Sequence, residues 1–107
     1  MGKHTQMKVA LSASAETDLL EGFAFYELQQ ENLGWYFLDS LYADIDALGL
    51  YGGIHPKFLN SLHRTMAKRF PFTIYYRVDD EVVTVIAVLD SRQDPRRIRA
   101  KLSGFRA

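Results

Sequence analysis

The stretch Arg69 to Arg92, RFPFTIYYRVDDEVVTVIAVLDSR, most limits what this chain can fold into. Phe72, Ile74, Tyr76 and Val78 alternate with Thr73, Tyr75 and Arg77, the period-two pattern of a half-buried strand. Asp79-Asp80 breaks the pattern with a turn signal. Val82 to Leu89 then runs almost wholly apolar and β-branched, which predicts a central strand covered on both faces of a small sheet. The remaining elements must therefore supply cover for this hairpin.

The upstream half reads as that cover. Met7 to Leu11 (MKVAL) predicts a first strand, and Ser12 or Ser14 can cap a helix, with Glu16 and Asp18 suited to its positive end. Leu19, Phe23 and Tyr26 recur at helical spacing, with Leu20, Ala24 and Leu28 widening the stripe, to an end near Gln30. After a tight break at Glu31-Asn32, Phe37, Leu41, Ile45 and Leu48 mark a second helix from Leu33. Gly49 and Gly52-Gly53 are expected to close it in the left-handed conformation common at helix ends. So short a break predicts an antiparallel αα-hairpin.

His55-Pro56 opens a loop toward a strand over Leu62 to Lys68, with Leu62 and Met66 expected inward. The central hairpin follows, and Asp94-Pro95 opens a last helix, Asp94 as cap and Pro95 at its first position, ending at Ser103-Gly104. The predicted order is β-α-α-β-β-β-α: an α+β fold with a helical hairpin packed on a small antiparallel sheet. Residues 7–107 form one domain, which the chain length favours, and residues 1–6 read as a polar extension.

The formal net charge of zero hides a division. Residues 1–56 carry two basic and eight acidic side chains, and residues 57–107 carry eleven basic and five acidic. Such asymmetry fits either internal neutralisation across a helix–sheet interface and ordinary solvated faces, or an anionic partner for the sheet half. The candidate contacts are Arg64, Lys68, Arg69, Arg77 and Arg92; antiparallel pairing is expected to bring several within about 10 Å of one another on one sheet face. Trp35, Tyr36 and Tyr42 are an aromatic surplus on the outer edge of the helical hairpin. With no cysteine, disulfide and thiolate chemistry are excluded, and a reducing cytoplasm is the simplest compartment. The sequence has no phosphate-cradling glycine loop, CxxC, HExxH or GxSxG. His55 and His63 lack a fitting third ligand, so neither metal nor cofactor is expected.

The strings SASAETDLLEGFAFYELQ, GIHPKF and HRTMAKRFPFTIYYRVDDEVVTVIAVLDSRQDP, with the closing basic helix, resemble the RelE/ParE superfamily of toxins from type II toxin–antitoxin modules, the plasmid stabilisation proteins. The likeness spans nearly all of residues 7–103. It implies a helical hairpin on a small antiparallel sheet and a cognate antitoxin whose tail wraps the toxin. It also implies one of two activities: ribosome-dependent mRNA cleavage in the RelE branch, or poisoning of DNA gyrase in the ParE branch.

Cleavage through a 2′-hydroxyl needs groups that activate that oxygen, stabilise the phosphorane and assist the leaving group. In the RelE branch these are arginines, lysines and a tyrosine or histidine from the sheet and the final helix. Arg92 stands where the resemblance implies such an arginine, but Phe72-Thr73 and Ile98 fall where an arginine and a late tyrosine are implied. The set is incomplete, which favours a ParE-like, non-nucleolytic toxin. His63, Arg64, Lys68, Tyr75 and Arg92 remain the catalytic candidates of the RelE alternative, and a non-toxic binding homologue is the third reading. An antitoxin is expected to cover Trp35, Tyr36 and Tyr42, and without it the chain is expected to self-associate as a dimer.

Overall fold

In the computed structural model, residues 6–54, 57–59 and 61–104 are described. The elements are β1 (Lys8–Leu11), α1 (Ala13–Gln29), α2 (Leu33–Tyr51) with a 3-10 turn at Gly52–Ile54, β2 (Lys57–Leu59), β3 (Leu62–Met66), β4 (Phe72–Asp79), β5 (Val82–Asp90) and α3 (Pro95–Leu102). The sheet order is β1-β5-β4-β3-β2. The α+β class and the helical hairpin on a sheet are as the sequence predicts. Two details differ. The sheet is mixed, because β1 pairs parallel to β5, and it gains a fifth strand in β2. At three residues, β2 is too short to show a period. The predicted His55-Pro56 loop lies outside the described residues.

Placing β5 between β1 and β4 buries both its faces, as its unbroken apolar run requires. On one face Phe72, Ile74, Tyr76, Val83, Val85 and Val88 pack against Leu19, Phe37, Leu41, Ile45 and Leu48 of the helical hairpin. On the other, Leu62, Tyr75, Ala87 and Leu89 pack under Ile98 and Leu102 of α3. Each large apolar side chain so buried contributes about 1.5–3 kcal/mol. The register slips between Tyr75 and Tyr76, which pair with Ala87 and Val85 and leave Ile86 as a bulge. That slip turns residues 87 and 89 toward α3 while 83, 85 and 88 stay on the hairpin side.

The helix ends follow the local chemistry. The Ser12 hydroxyl accepts the amide of Ala15 at 3.0 Å and donates to the carbonyl of Ile86 at 3.2 Å, capping α1 and tying it to the bulge. Glu27 accepts the amides of Asn32 and Gly34, both at 2.9 Å, so a carboxylate from α1 caps α2. Asn32 takes the left-handed conformation at the break. The left-handed close expected at the glycines of α2 does not occur: Gly52 is right-handed and the chain continues into the 3-10 turn. Among the described glycines none has positive φ. Gly22 serves close approach instead, since a Cβ there would lie 2.4 Å from the Phe37 ring.

Four side chains expected inward face out. Leu20 and Leu28 are 63% and 89% exposed, and Ala24 lies with them on the outer face of α1; the buried stripe is Ala15, Leu19, Gly22 and Tyr26. Met66 points out, 64% exposed, because β3 ends there at the sheet's rim.

Candidate functional site

A groove of about 510 Å³ opens between α3 and the strand face it covers. Its position follows from α3, whose helix starts where Asp94 accepts the amide of Arg96 at 2.9 Å. That cap sets the register in which Ile98 and Leu102 reach the sheet, with Arg99 exposed alongside. Too short to cover the whole face, α3 leaves the rim toward β3 and β2 open. Strand pairing sets Arg64 beside Tyr75 and Met66 beside Thr73 along this rim. Thr73 and Ser91 share a 2.7 Å hydroxyl–hydroxyl hydrogen bond within the groove.

The groove is cationic and aromatic. The Arg64 guanidinium carbon lies 3.9 Å from the centroid of Phe58, and that of Arg99 lies 5.7 Å from it. The ring of Phe58 stands 5.9 Å from that of Tyr75, which is almost fully buried. A guanidinium resting on an aromatic face is held in orientation while its N–H fork remains available to an anion. Among the described residues lining the groove there is no histidine, lysine or carboxylate.

The basic candidates do not form one cluster. Arg64 lines the groove, and Arg77 lies on the same face by its parity with Tyr75, half-buried, with its Nε 3.9 Å from the Asp79 carboxylate. Lys68 and Arg69 are exposed in the β3–β4 connection. Asp44 of α2 accepts the Lys68 amide at 2.9 Å, which draws that connection toward the helices and places Lys68 in a separate hollow. Arg92 sits at the far end of β5, gripped by Asp90 through Nε (3.0 Å) and Nη2 (2.8 Å), and also interacts with Tyr26 of α1. That fork holds the Asp90 carboxyl below its ordinary range and raises the Arg92 guanidinium.

His63 takes the opposite parity to Arg64. It is buried on the hairpin side and stacked on Tyr76, with centroids 5.3 Å apart and planes 14° apart. The Tyr76 hydroxyl donates to the Gly52 carbonyl at 2.8 Å, and burial pushes its pKa up to about 12. Among the described residues no group of three or more His, Asp or Glu side chains could hold a metal ion. His55 lies outside the described residues.

Trp35, Tyr36 and Tyr42 are 58%, 49% and 40% exposed on α2. Trp35 meets Phe23 edge-on at 4.9 Å and Tyr36 meets Phe70 at 5.5 Å, so each packs at its base while its outer part faces solvent. Phe58 sits in the unforeseen β2, and Arg99 belongs to the closing basic helix, where a cation near the C-terminus is favourable without any ligand. The signal for Arg99 was present: with Asp94 capping, Ile98 and Leu102 turn inward, and Arg99 must flank them.

No family model and no curated protein matches the sequence. Solved structures do. The chain is similar to a chain of the chromosomal ParDE TA system from P. aeruginosa, with TM-score 0.73 and 13% identity over 80% of this chain and 97% of that one. It is also similar to the isolated E. coli RelE toxin, with TM-score 0.56 and 14% identity over 92% of this chain and 99% of that one. The chain thus shares the fold of these two structures. Among the described residues no helix is long and apolar enough to cross a membrane.

Proposed function

We propose that the chain is the toxin of a type II toxin–antitoxin module, of the ParE-like kind that inhibits DNA gyrase rather than cutting RNA. The fold shared with a ParDE chain and with RelE supports the toxin reading. The observation that carries the non-nucleolytic choice is the composition of the groove: two arginines, hydroxyls and an aromatic floor, with no histidine, lysine or carboxylate among its described lining residues to act as a general base. Transfer of a proton from a 2′-hydroxyl near neutral pH needs a group within about 3 Å that can accept it. His63, the nearest candidate in sequence, lies on the other side of the sheet. Tyr75 lines the groove, but its ring is almost fully buried in the sheet face.

In this reading Arg64 and Arg99 contact the target, and the partner antitoxin covers the exposed aromatics Trp35, Tyr36 and Tyr42. The site of action is the cytoplasm, where gyrase works. Induced expression in a bacterial host without the neighbouring antitoxin gene is expected to stop colony formation. The purified chain is expected to inhibit gyrase supercoiling while leaving mRNA intact in a translating extract. Cuts at ribosomal A-site codons would replace this reading with the RelE-like one. Normal growth with a folded, accumulated protein would leave a non-toxic binding homologue.

A further inference from the structure

A second depression adjoins the groove. It is a hollow of about 220 Å³ at the junction of α2, the 3-10 turn and β3, lined by Asp44, Leu48, Tyr51, Ile54, Met66 and Lys68. Thr65 and Met66 line both depressions, so Met66 is the ridge between them. Tyr51, Ile54 and Met66 are 54%, 76% and 64% exposed. Three large apolar side chains around one depression make a patch that isolated surface residues do not. Beyond the ridge stand the Arg64 and Arg99 guanidinium groups, and no described hydrogen bond or ion pair engages either side chain.

From this continuity we infer that the β3 rim is a docking track for an acidic peptide segment of a protein partner, with an aliphatic side chain seated in the Tyr51–Ile54–Met66 hollow and carboxylates held by Arg64 and Arg99. Charge complementarity selects the occupant. A carboxylate matches the planar fork of a guanidinium, and a fork already laid against Phe58 loses less freedom on binding. Nucleic acid fits less well. Its affinity grows with the number of phosphates neutralised, and two arginines offer about two. The track's other end is mainly apolar, lined by Leu48, Tyr51, Ile54 and Met66, where an aliphatic side chain can be buried and a phosphate backbone cannot. The inference rests on the groove being the working surface proposed above, but not on toxicity.

The test is fluorescence anisotropy with the full chain and four labelled probes. These are a twelve-residue peptide with glutamates and a leucine at helical spacing, its lysine-for-glutamate counterpart, its serine-for-leucine counterpart, and a twelve-nucleotide single-stranded RNA. The glutamate–leucine peptide is expected to bind at least tenfold more tightly than the other three. Met66→Asp is expected to weaken it tenfold. Arg64→Glu combined with Arg99→Glu is expected to reverse the preference, so that the lysine peptide binds best. All three positions are exposed, and a melting curve on each variant verifies folding. Equal binding of the glutamate and lysine peptides, absence of binding, or tighter binding of the RNA would overturn the inference. So would self-association abolished by the charge reversals, which would make a second copy the occupant. Growth arrest without peptide preference removes this inference and leaves the toxin reading standing; peptide preference without arrest does the reverse.

Discussion

The carboxylate of Asp18 on α1 accepts the backbone amide of Val88 on β5 at 2.9 Å. This bond and the Ser12 hydroxyl on the Ile86 carbonyl flank the bulge, where the ladder between β4 and β5 slips. A bulge disrupts the regular ladder locally, and buried backbone groups left without partners are costly. Two side chains of α1 meet that need and in doing so fix the helix against the sheet. Burial pushes the Asp18 carboxyl up from its ordinary value; the Val88 amide opposes this, Glu21 adds to it and Lys101 opposes it.

A raised carboxyl titrates with a definite sign. The folded state holds the Asp18 proton more tightly than the unfolded chain, so its contribution is complete below the ordinary value of 3.8 and declines as pH rises through the higher folded value. Asp18→Asn keeps an acceptor for Val88 and removes the desolvated charge. It is expected to melt at or above the wild-type temperature at pH 7, with a smaller fall in relative stability between pH 4 and 7. Asp18→Ala leaves the amide unpaired and is expected to lose about 1–3 kcal/mol. Asp90 and Asp94 are held low by Arg92 and Arg96 and act with the opposite sign, losing their contribution as pH falls. Melts from pH 3 to 7 on all three proteins isolate Asp18 by difference, and equal losses in Asn and Ala would refute its role as acceptor.

Tyr76 offers a second titration at the other end of the range. Its hydroxyl is the donor to the Gly52 carbonyl beneath α2, and its phenol is held up to about 12 by burial. The neutral phenol is the form the fold accommodates, so stability is full below about pH 10 and falls as pH rises toward the folded value. Tyr76→Phe keeps the ring stacked on His63 and removes the donor, for an expected loss of about 1 kcal/mol at pH 7. Thermal melts measure the loss, and phenolate absorbance follows the titration. A phenol that ionises near 10 would contradict the buried donor.

The sequence made the frame legible because its signals are local. The Ser12 and Asp94 caps, the Glu31-Asn32 break and the period-two run from Phe72 to Val78 each record a backbone choice made within a few residues. What escaped was set at a distance. The bulge at Ile86 depends on pairing with β4 and on acceptors and donors from α1, which no local pattern encodes. The side-chain parity of β3 put Arg64 and His63 on opposite faces, but the pull of Asp44 on the Lys68 amide and the Asp90 fork on Arg92 dispersed the expected cluster. The outward stripe Leu20–Ala24–Leu28 misled because a helix stripe reads as core whichever face meets the sheet.

Gly22 tests the packing of the helical hairpin. Alanine is about 1 kcal/mol better than glycine in a helix interior, which taken alone favours Gly22→Ala. A methyl group at this position meets the Phe37 ring, whose atoms lie 2.4 and 2.5 Å away, and Phe37 is fully buried among Tyr26, Phe70 and Phe72. Overpacking of that kind costs about 1–3 kcal/mol. The ring cannot move without disturbing its neighbours, so the steric cost is expected to win, with a net loss of about 1 kcal/mol or more by chemical denaturation. A stabilised Gly22→Ala would mean the two helices separate freely.

The dispersal of the basic residues makes their separate roles measurable. Arg64 stands in the groove against Phe58, Lys68 in the neighbouring hollow, and Arg92 is paired with Asp90 at the far end of β5. All three are exposed, where substitutions away from special features change stability by about 0.5 kcal/mol or less. Growth arrest therefore reports contact with the target rather than folding. Removing one partner of a charge pair buried at an interface costs about 2–5 kcal/mol, or about thirtyfold and upward in affinity. Arg64→Glu is expected to restore colony formation, and Arg99→Glu to do the same. Arg92→Glu, which exchanges the pair with Asp90 for a repulsion and gives up the contact with Tyr26, is expected to leave arrest intact. Lys68→Glu is expected to weaken arrest less than Arg64→Glu, because its hollow is mainly apolar. Full arrest by a folded Arg64→Glu, Arg99→Glu double variant, with protein accumulating at the wild-type level, would move the working surface away from the groove and toward the exposed aromatics of α2.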